Sequence, residues 1–326
     1  MSDNIYDQQK HNRRYTWLIM FLFVLFFLFI GAGFDFFYNK GIPIATPVAL
    51  VVGIASVLGS YYKGDKIVLS STGARPINPL ELKERQFQNI VEEVKIASGL
   101  PMPKVYIIPD SDPNAFATGR NPDCASIAIT EGLLNKLSRD ELQGVVAHEM
   151  SHVRNFDIRL MTIVAALVGA IVLLSDWARR AMRWSSRSGG RSSSSSRRSS
   201  GGAAMVILFA VWLLFIILAP VIAHIMAMAV SRKREYLADA SGAELIRNPN
   251  ALANALQKIE EASAPTTSIK RGVAHLCIAD PLGNSFTNKE GFMANLMATH
   301  PPMRDRIYRL NKMAYLYPVR DADNKA

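Results

Sequence analysis

Residues Thr16 to Phe34, TWLIMFLFVLFFLFIGAGF, run for 19 positions without a formal charge, and Gly41 to Tyr62 run for 22 more. At about 1.5 Å of rise per residue, a helix over either stretch crosses a hydrocarbon layer of roughly 30 Å. A cleaved signal peptide does not account for the first run. It is too long, and no small-residue cleavage site follows in the FDFFYNKG that continues it. The chain therefore reads as an integral membrane protein. Lys10, Arg13 and Arg14 precede the first run, whereas the turn after it offers only Lys40. That asymmetry places the N-terminus in the cytoplasm, and the second run brings the chain back there at Lys63 and Lys66.

The formal net charge of +10 follows from basic membrane flanks and needs no nucleic acid partner. No zinc-knuckle spacing or interleaving of aromatic and basic residues points to RNA or DNA. Cys124 and Cys277 are far apart and lack C-x-x-C spacing, so they imply no disulfide framework and suit a reducing compartment.

After residue 62 the pattern becomes that of a soluble α+β portion. Leu82, Phe87, Ile90, Val91 and Val94 have helical spacing within residues 80–98. KVYIIP at 104–109 is a short β-rich run between Pro103 and Pro109. NAFATG (114–119) and ASIAIT (125–130) read as two more strands joined by GRNPD. Ser138, with Glu141 three residues on, has the pattern of a capping box that opens the next helix. A third apolar run, 160–174, has only 15 residues. The segment 178–202, with seven arginines and ten serines, cannot bury a core and is expected to be a disordered loop. Then 201–231 passes 31 residues without a formal charge, and 232–326 reads as helices and loops.

The helix after Ser138 carries VVAHEMSH, the H-E-x-x-H pattern. Residues four apart lie one above the other on a helix face, so His148 and His152 can aim two nitrogens at one ion. Glu149 sits about 100° round the helix, beside that ion, where a general base for an attacking water belongs. The bland alternative is a surface helix with two ordinary histidines. Leu142, Val145, Val146, Met150 and Val153 argue against it by giving the helix an apolar face. A catalytic zinc normally takes three protein ligands. His11, in a polar tail, and His224, inside the long apolar run, are poor candidates for the third, whereas His275 and His300 stay open. A carboxylate in SRKREYLADASG is better placed, since Glu235 and Asp239 again stand four apart. One could bind the metal while the other orients a histidine. Periodicity alone nevertheless favours a solvated charged face for that pair.

Taken together, the two N-terminal apolar runs, LPMPKVYIIPDSDPNAFATG, HEMSHVRNFD, SRKREYLADASG and THPPMRDRI resemble the HtpX-type membrane zinc metalloproteases, relatives of the CAAX prenyl endoproteases. The resemblance covers nearly the whole chain. It implies a mostly helical α+β, gluzincin-like protease domain with a small sheet on a multi-pass membrane protein. It also implies one Zn2+ per chain on His148, His152 and Glu235, with Asp239 as the partner that orients a ligand histidine. The expected organisation is a tail at 1–15, two spans in 16–62 and a protease portion at 63–158 with the metal helix. A hydrophobic hairpin at 159–231 and a second protease portion at 232–326 complete it.

His148 and Glu235 must share one side of the membrane to share an ion, so an even number of crossings separates them. Four spans are expected, although the seven arginines of 178–202 then lie outside against the positive-inside rule. A second donor beside zinc is expected to stabilise charge on the carbonyl oxygen, with His300, Arg304 and Tyr236 as candidates. A turn histidine ahead of Pro301 and Pro302 is the equal alternative for His300. Asn114, Ala115, Phe116, Ala117 and Thr118 could form the sheet edge on which an extended peptide pairs, or simply a buried strand. The expected function is cleavage of damaged or misfolded membrane proteins at the cytoplasmic face of the inner membrane, in protein quality control under stress. Substrates are polypeptides, and the bilayer is the other partner. The rivals are a site-two-type intramembrane protease and a non-catalytic scaffold with a relic metal site. The charge of the motif helix counts against the first, and Glu149, needed only for chemistry, against the second.

Overall fold

The computed structural model describes residues 5–38, 42–169, 171, 232–262, 276–278 and 301–316. Helices α1 (Ile5–Tyr38) and α2 (Ala45–Ser71) form a hairpin, and both are long and apolar enough to cross a membrane. Ile44, at the start of α2, provides no side-chain cap. Asp35 of α1 does so instead, its carboxylate accepting from the amides of Ala45 (3.0 Å) and Thr46 (2.7 Å). This satisfies donors that a helix start otherwise leaves open. Trp17, Phe21, Phe36, Val51 and Leu58 stand exposed along the two helices, an apolar belt that water would not tolerate over such a length. Residues 5–15, expected as a separate tail, continue α1 without a break.

A four-stranded sheet follows, in the order β1-β2-β4-β3: β1 (Arg75–Pro76), β2 (Lys104–Ile108), β3 (Ala115–Thr118) and β4 (Ser126–Thr130). Only β2 and β4 are parallel. Three strands match the expected runs, while two-residue β1 carries no recognisable pattern. Alternation sends Val105, Ile107, Ile127, Ile129, Ala115 and Ala117 to one face. They pack there with Phe87, Ile90, Val91 and Val94 of α3 (Leu82–Ser98) and with the motif helix. Ile108, Phe116 and Ala128 point to the other face, against Val68 and Leu69 of α2 and Met161 and Ala165 of α6, the helical residues 157–169. Helices thus cover both faces, which is why β3 and β4 are buried throughout.

After the short α4 (Glu131–Lys136), the motif helix α5 (Arg139–Arg154) begins with the expected capping box. Ser138 Oγ accepts from the Glu141 amide (3.4 Å), and Glu141 Oε2 accepts from the Ser138 amide (2.7 Å). From Gly144 to Val153 α5 is buried on every side, a more central position than one apolar face implies. It packs on β3, α3, α7 (Arg232–Ile246) and α8 (Pro249–Glu261). Helix α9 (Met303–Leu316) closes over α7 and α8. The start of α6 packs with Met20, Phe23, Phe27 and Val57 of the hairpin. The Arg/Ser segment 178–202 and the run 201–231 lie outside the described residues.

Glu84 ties the start of α3 to β1. Its carboxylate accepts from Arg75 Nη2 (2.7 Å) and Nη1 (3.1 Å) and from the Asn78 amide (2.6 Å). Those bonds, Arg75 first, hold the carboxyl below its ordinary value of 4.5. Because the folded value is depressed, the stabilisation is present above about pH 4.5 and is lost as pH falls through the folded value. Glu84→Gln should cost about 1–3 kcal/mol at pH 7. In thermal melts of the detergent-solubilised protein, the gap between wild type and variant should narrow below pH 4.5.

Candidate active site

Two imidazoles and a carboxylate meet where α7 crosses α5. His148 Nε2 and His152 Nε2 are 3.2 Å apart, and Glu235 places Oε2 3.7 Å from the first and Oε1 3.6 Å from the second. Tetrahedral zinc with bonds of about 2.0–2.1 Å puts its ligand atoms about 3.3 Å from one another, so the three donors have the span one such ion requires. All three are buried.

Carboxylates behind the imidazoles aim them. His148 Nδ1 lies 3.0 Å from Asp239 Oδ1, and His152 Nδ1 lies 3.1 Å from Asp157 Oδ2. Engaging each Nδ1 turns each Nε2 towards the shared point. Asp239 is the expected partner of a histidine, whereas no sequence pattern points to Asp157. It is five residues beyond His152, off the helix face, and α5 has ended before it. Phe156, in the left-handed region at φ 58°, turns the chain so that Asp157 comes back under His152. Asp157 is itself held by Asn12 of α1, whose Nδ2 donates to Oδ1 (2.6 Å) and to the Asn155 carbonyl (3.1 Å). The first turns of α1 therefore brace the metal helix.

Arg306 brings a cation against the site. Fully buried on α9, it donates to Asp239 through Nε (2.8 Å) and Nη2 (2.7 Å), and Nη1 lies 3.6 Å from Glu235 Oε2. Arg304, a candidate for the second donor, is on another side of the same helix. Two positions apart on a helix is about 200° of rotation, so Arg304 is exposed while Arg306 points inward. Tyr236 is half-buried with its ring under the Arg309 guanidinium, 3.8 Å from the centroid. His300 lies outside the described residues.

Burial raises the Glu149 carboxyl to about 7, helped by the nearby Glu235, while His152 and the Ala117 amide, which hydrogen-bonds it, pull the other way. Burial also keeps His148 below its ordinary value, despite Asp239, as a metal-binding imidazole needs. Burial opposes charge on His152 too, but Asp157 and then Glu235 outweigh it and carry the ring up to about 9. Around the three donors, Asp157 lies beside Arg234 and Asp239 beside Arg306, so each outer carboxylate has a guanidinium next to it.

Residues 81–314 match peptidase family M48. The chain belongs to that family. It is 42% identical to a protease HtpX homolog of Thermoanaerobacter pseudethanolicus over 95% of this chain and 98% of that one. The identity is 44% to the protease HtpX homolog of Listeria monocytogenes serotype 4b, over 95% and 100%. The crystal structure of S. mikatae Ste24p aligns with a TM-score of 0.48 and 20% identity, covering 86% of this chain and 61% of that one. This M48 protein is a membrane metalloprotease, and His148, His152 and Glu235 are the described residues able to hold its metal.

β3 ends the sheet on the side of the histidines, and its outward main chain is engaged at two points. The Ala115 carbonyl accepts from the Ile278 amide (2.9 Å), and the Ala117 amide bonds Glu149. Ile278 in turn offers its carbonyl to Arg306 Nη1 (3.0 Å). Asn114 bonds β4 through Thr130, and Phe116 and Thr118 pair with Ala128 and Ser126.

Two changes test how the site is assembled. A Cβ at Gly242 would meet the His148 amide nitrogen at 2.9 Å and the Ala147 carbonyl carbon at 3.0 Å, backbone that cannot yield. Gly242→Ala should therefore push α7 off α5 and weaken Zn(II) affinity by at least tenfold, measured by chelator competition. Asn12→Ala should weaken it by about tenfold, as the loss of an outer partner of a ligand does, with little change in melting temperature.

Proposed function

We propose that the chain is a zinc endopeptidase that cleaves extended polypeptide segments at the cytoplasmic face of the cell membrane, with damaged or misfolded membrane proteins as substrates. The observation that carries this reading is the convergence of His148, His152 and Glu235 within 4.8 Å of one another, with Glu149 at their side. In it one Zn2+ per chain is held by those three residues. Zinc bound there would supply Lewis acidity for a carbonyl and for a water. Glu149 takes the proton of the attacking water and passes it to the leaving amine. Its elevated proton affinity suits both acts, and a divalent cation alongside draws the carboxyl down. Asp239 and Asp157 hold the imidazoles, and Arg306 holds Asp239 and adds positive charge beside the site as the carbonyl oxygen becomes negative.

The substrate lies as an added strand on β3. Support comes from Ile278, which already uses the Ala115 carbonyl as a main-chain partner. Pairing of this kind selects backbone rather than side chains and suits a broad substrate range. The cytoplasmic orientation rests on Lys10, Arg13 and Arg14 at the start of α1. Four spans rest on the need for His148 and Glu235 to meet from either side of the hydrophobic hairpin 159–231. In this reading 63–158 and 232–326 together form the peptidase portion.

Glu149→Gln should lower cleavage of casein and self-cleavage by at least about 10²-fold, the contribution of a positioned base, and leave one zinc per chain by metal analysis. Cleavage at the wild-type rate with zinc in place would remove Glu149 from the mechanism.

A further inference from the structure

A second cluster of charge lies where the polar end of α2 meets the sheet. Four cations from four separate elements line a cavity of about 100 Å³: Lys66 of α2, Lys104 of β2, Arg120 just past β3, and Arg159 of α6. Asp65 is the one carboxylate in its wall, leaving a net charge of +3 (four less one). Among the described residues, none of the four cations forms an ion pair. Arg159 spends Nε on the Arg120 carbonyl (2.6 Å), and Arg120 rests its guanidinium 5.3 Å from the centre of the Tyr62 ring. Neutral groups thus hold both guanidiniums, and their remaining donors are available to an anion. Like charges gathered this closely repel unless something negative lies between them, and a guanidinium pair suits the oxygens of a phosphate.

The depth of the cavity identifies the anion. The uncharged run of α2 ends at Tyr62, and Lys63 and Lys66 follow it. Trp17 of α1 stacks on Tyr61, the ring centroids 6.5 Å apart, and Trp17 and Tyr62 are each 60% exposed. Tryptophan and tyrosine followed by lysine mark the level of lipid headgroups. We infer that this cavity binds the phosphate group of an anionic phospholipid and so fastens the sheet to the bilayer surface. The same corner is tied to the proposed peptide-pairing strand: Thr162 Oγ1 of α6 lies 2.8 Å from Thr118 Oγ1 and accepts from the Gly119 amide (3.0 Å). A bound headgroup sits at the end of β3.

The test is native mass spectrometry of the full-length detergent-purified protein, titrated separately with dioleoyl phosphatidylglycerol, dioleoyl phosphatidylcholine and inorganic phosphate. Phosphatidylglycerol should be retained at least about tenfold more tightly than phosphatidylcholine, given about 1 kcal/mol for each basic residue near an anionic surface. Lys66→Gln with Lys104→Gln should erase most of that preference, and both of these side chains are exposed, so folding is not at stake. Arg120→Gln with Arg159→Gln should do the same, whereas Lys83→Gln with Lys136→Gln, an equal loss of charge elsewhere, should leave it intact. Equal retention of the two lipids, or equal loss in the control pair, overturns the inference. Displacement of phosphatidylglycerol by millimolar inorganic phosphate also overturns it, by assigning the cavity to a soluble phosphate.

Discussion

Four carboxylates and two guanidiniums are buried around two imidazoles, and none of these groups would be stable there alone. In a low-dielectric interior each uncompensated charge costs several kcal/mol, roughly the margin by which a domain folds. The rest of the soluble portion can be understood as what is needed to bring those charges together. Helix α5 must lie at the centre of the packing for His148 and His152 to be dry. Helix α7 must touch its backbone, hence Gly242, for Glu235 and Asp239 to reach them. Helix α9 must then close over α7 to deliver Arg306.

The membrane portion belongs to the same arrangement. Helix α1 begins well before its uncharged run. Its first turns carry Asn12 to Asp157, and Asp157 positions His152. Helix α2 ends among the residues that cover one face of the sheet. The hairpin thus touches both the carboxylate that positions His152 and one face of the sheet.

Periodicity and local chemistry made part of this legible in advance. The two N-terminal uncharged runs, the capping box at Ser138, the i,i+4 histidines and the strand runs are short-range patterns, and the structure places helices and strands accordingly. The pairing of Glu235 with the histidines was different. Its own helix reads as a solvated charged face, and only resemblance to a known family pointed inward. Asp157 and Arg306 escaped because each depends on a turn whose direction no periodicity encodes, the left-handed Phe156 in one case and the rotation of α9 in the other. THPPMRDRI contains both Arg304 and Arg306, and composition cannot choose between two arginines on opposite sides of a helix. The docking of residues 9–12 was hidden by their polarity, which suits a free tail equally well.

Glu149 separates the enzyme from a scaffold that merely keeps a metal. Burial that raises this carboxyl to about 7 works against its charged form and so has a cost in the metal-free protein. Glutamine would fill the same space and donate to the same surroundings without that cost. Metal retention gives no reason to bear it, because the three donors are already supplied by His148, His152 and Glu235. An intramembrane protease would bear the cost in a spanning helix. Here α5 lies between the sheet and α7, and it begins with Arg139, Asp140 and Glu141, which a bilayer would not accept. Under the proposed mechanism, a buried carboxylate beside three metal-binding donors, in a layer tied to two long apolar helices, is placed to move a proton.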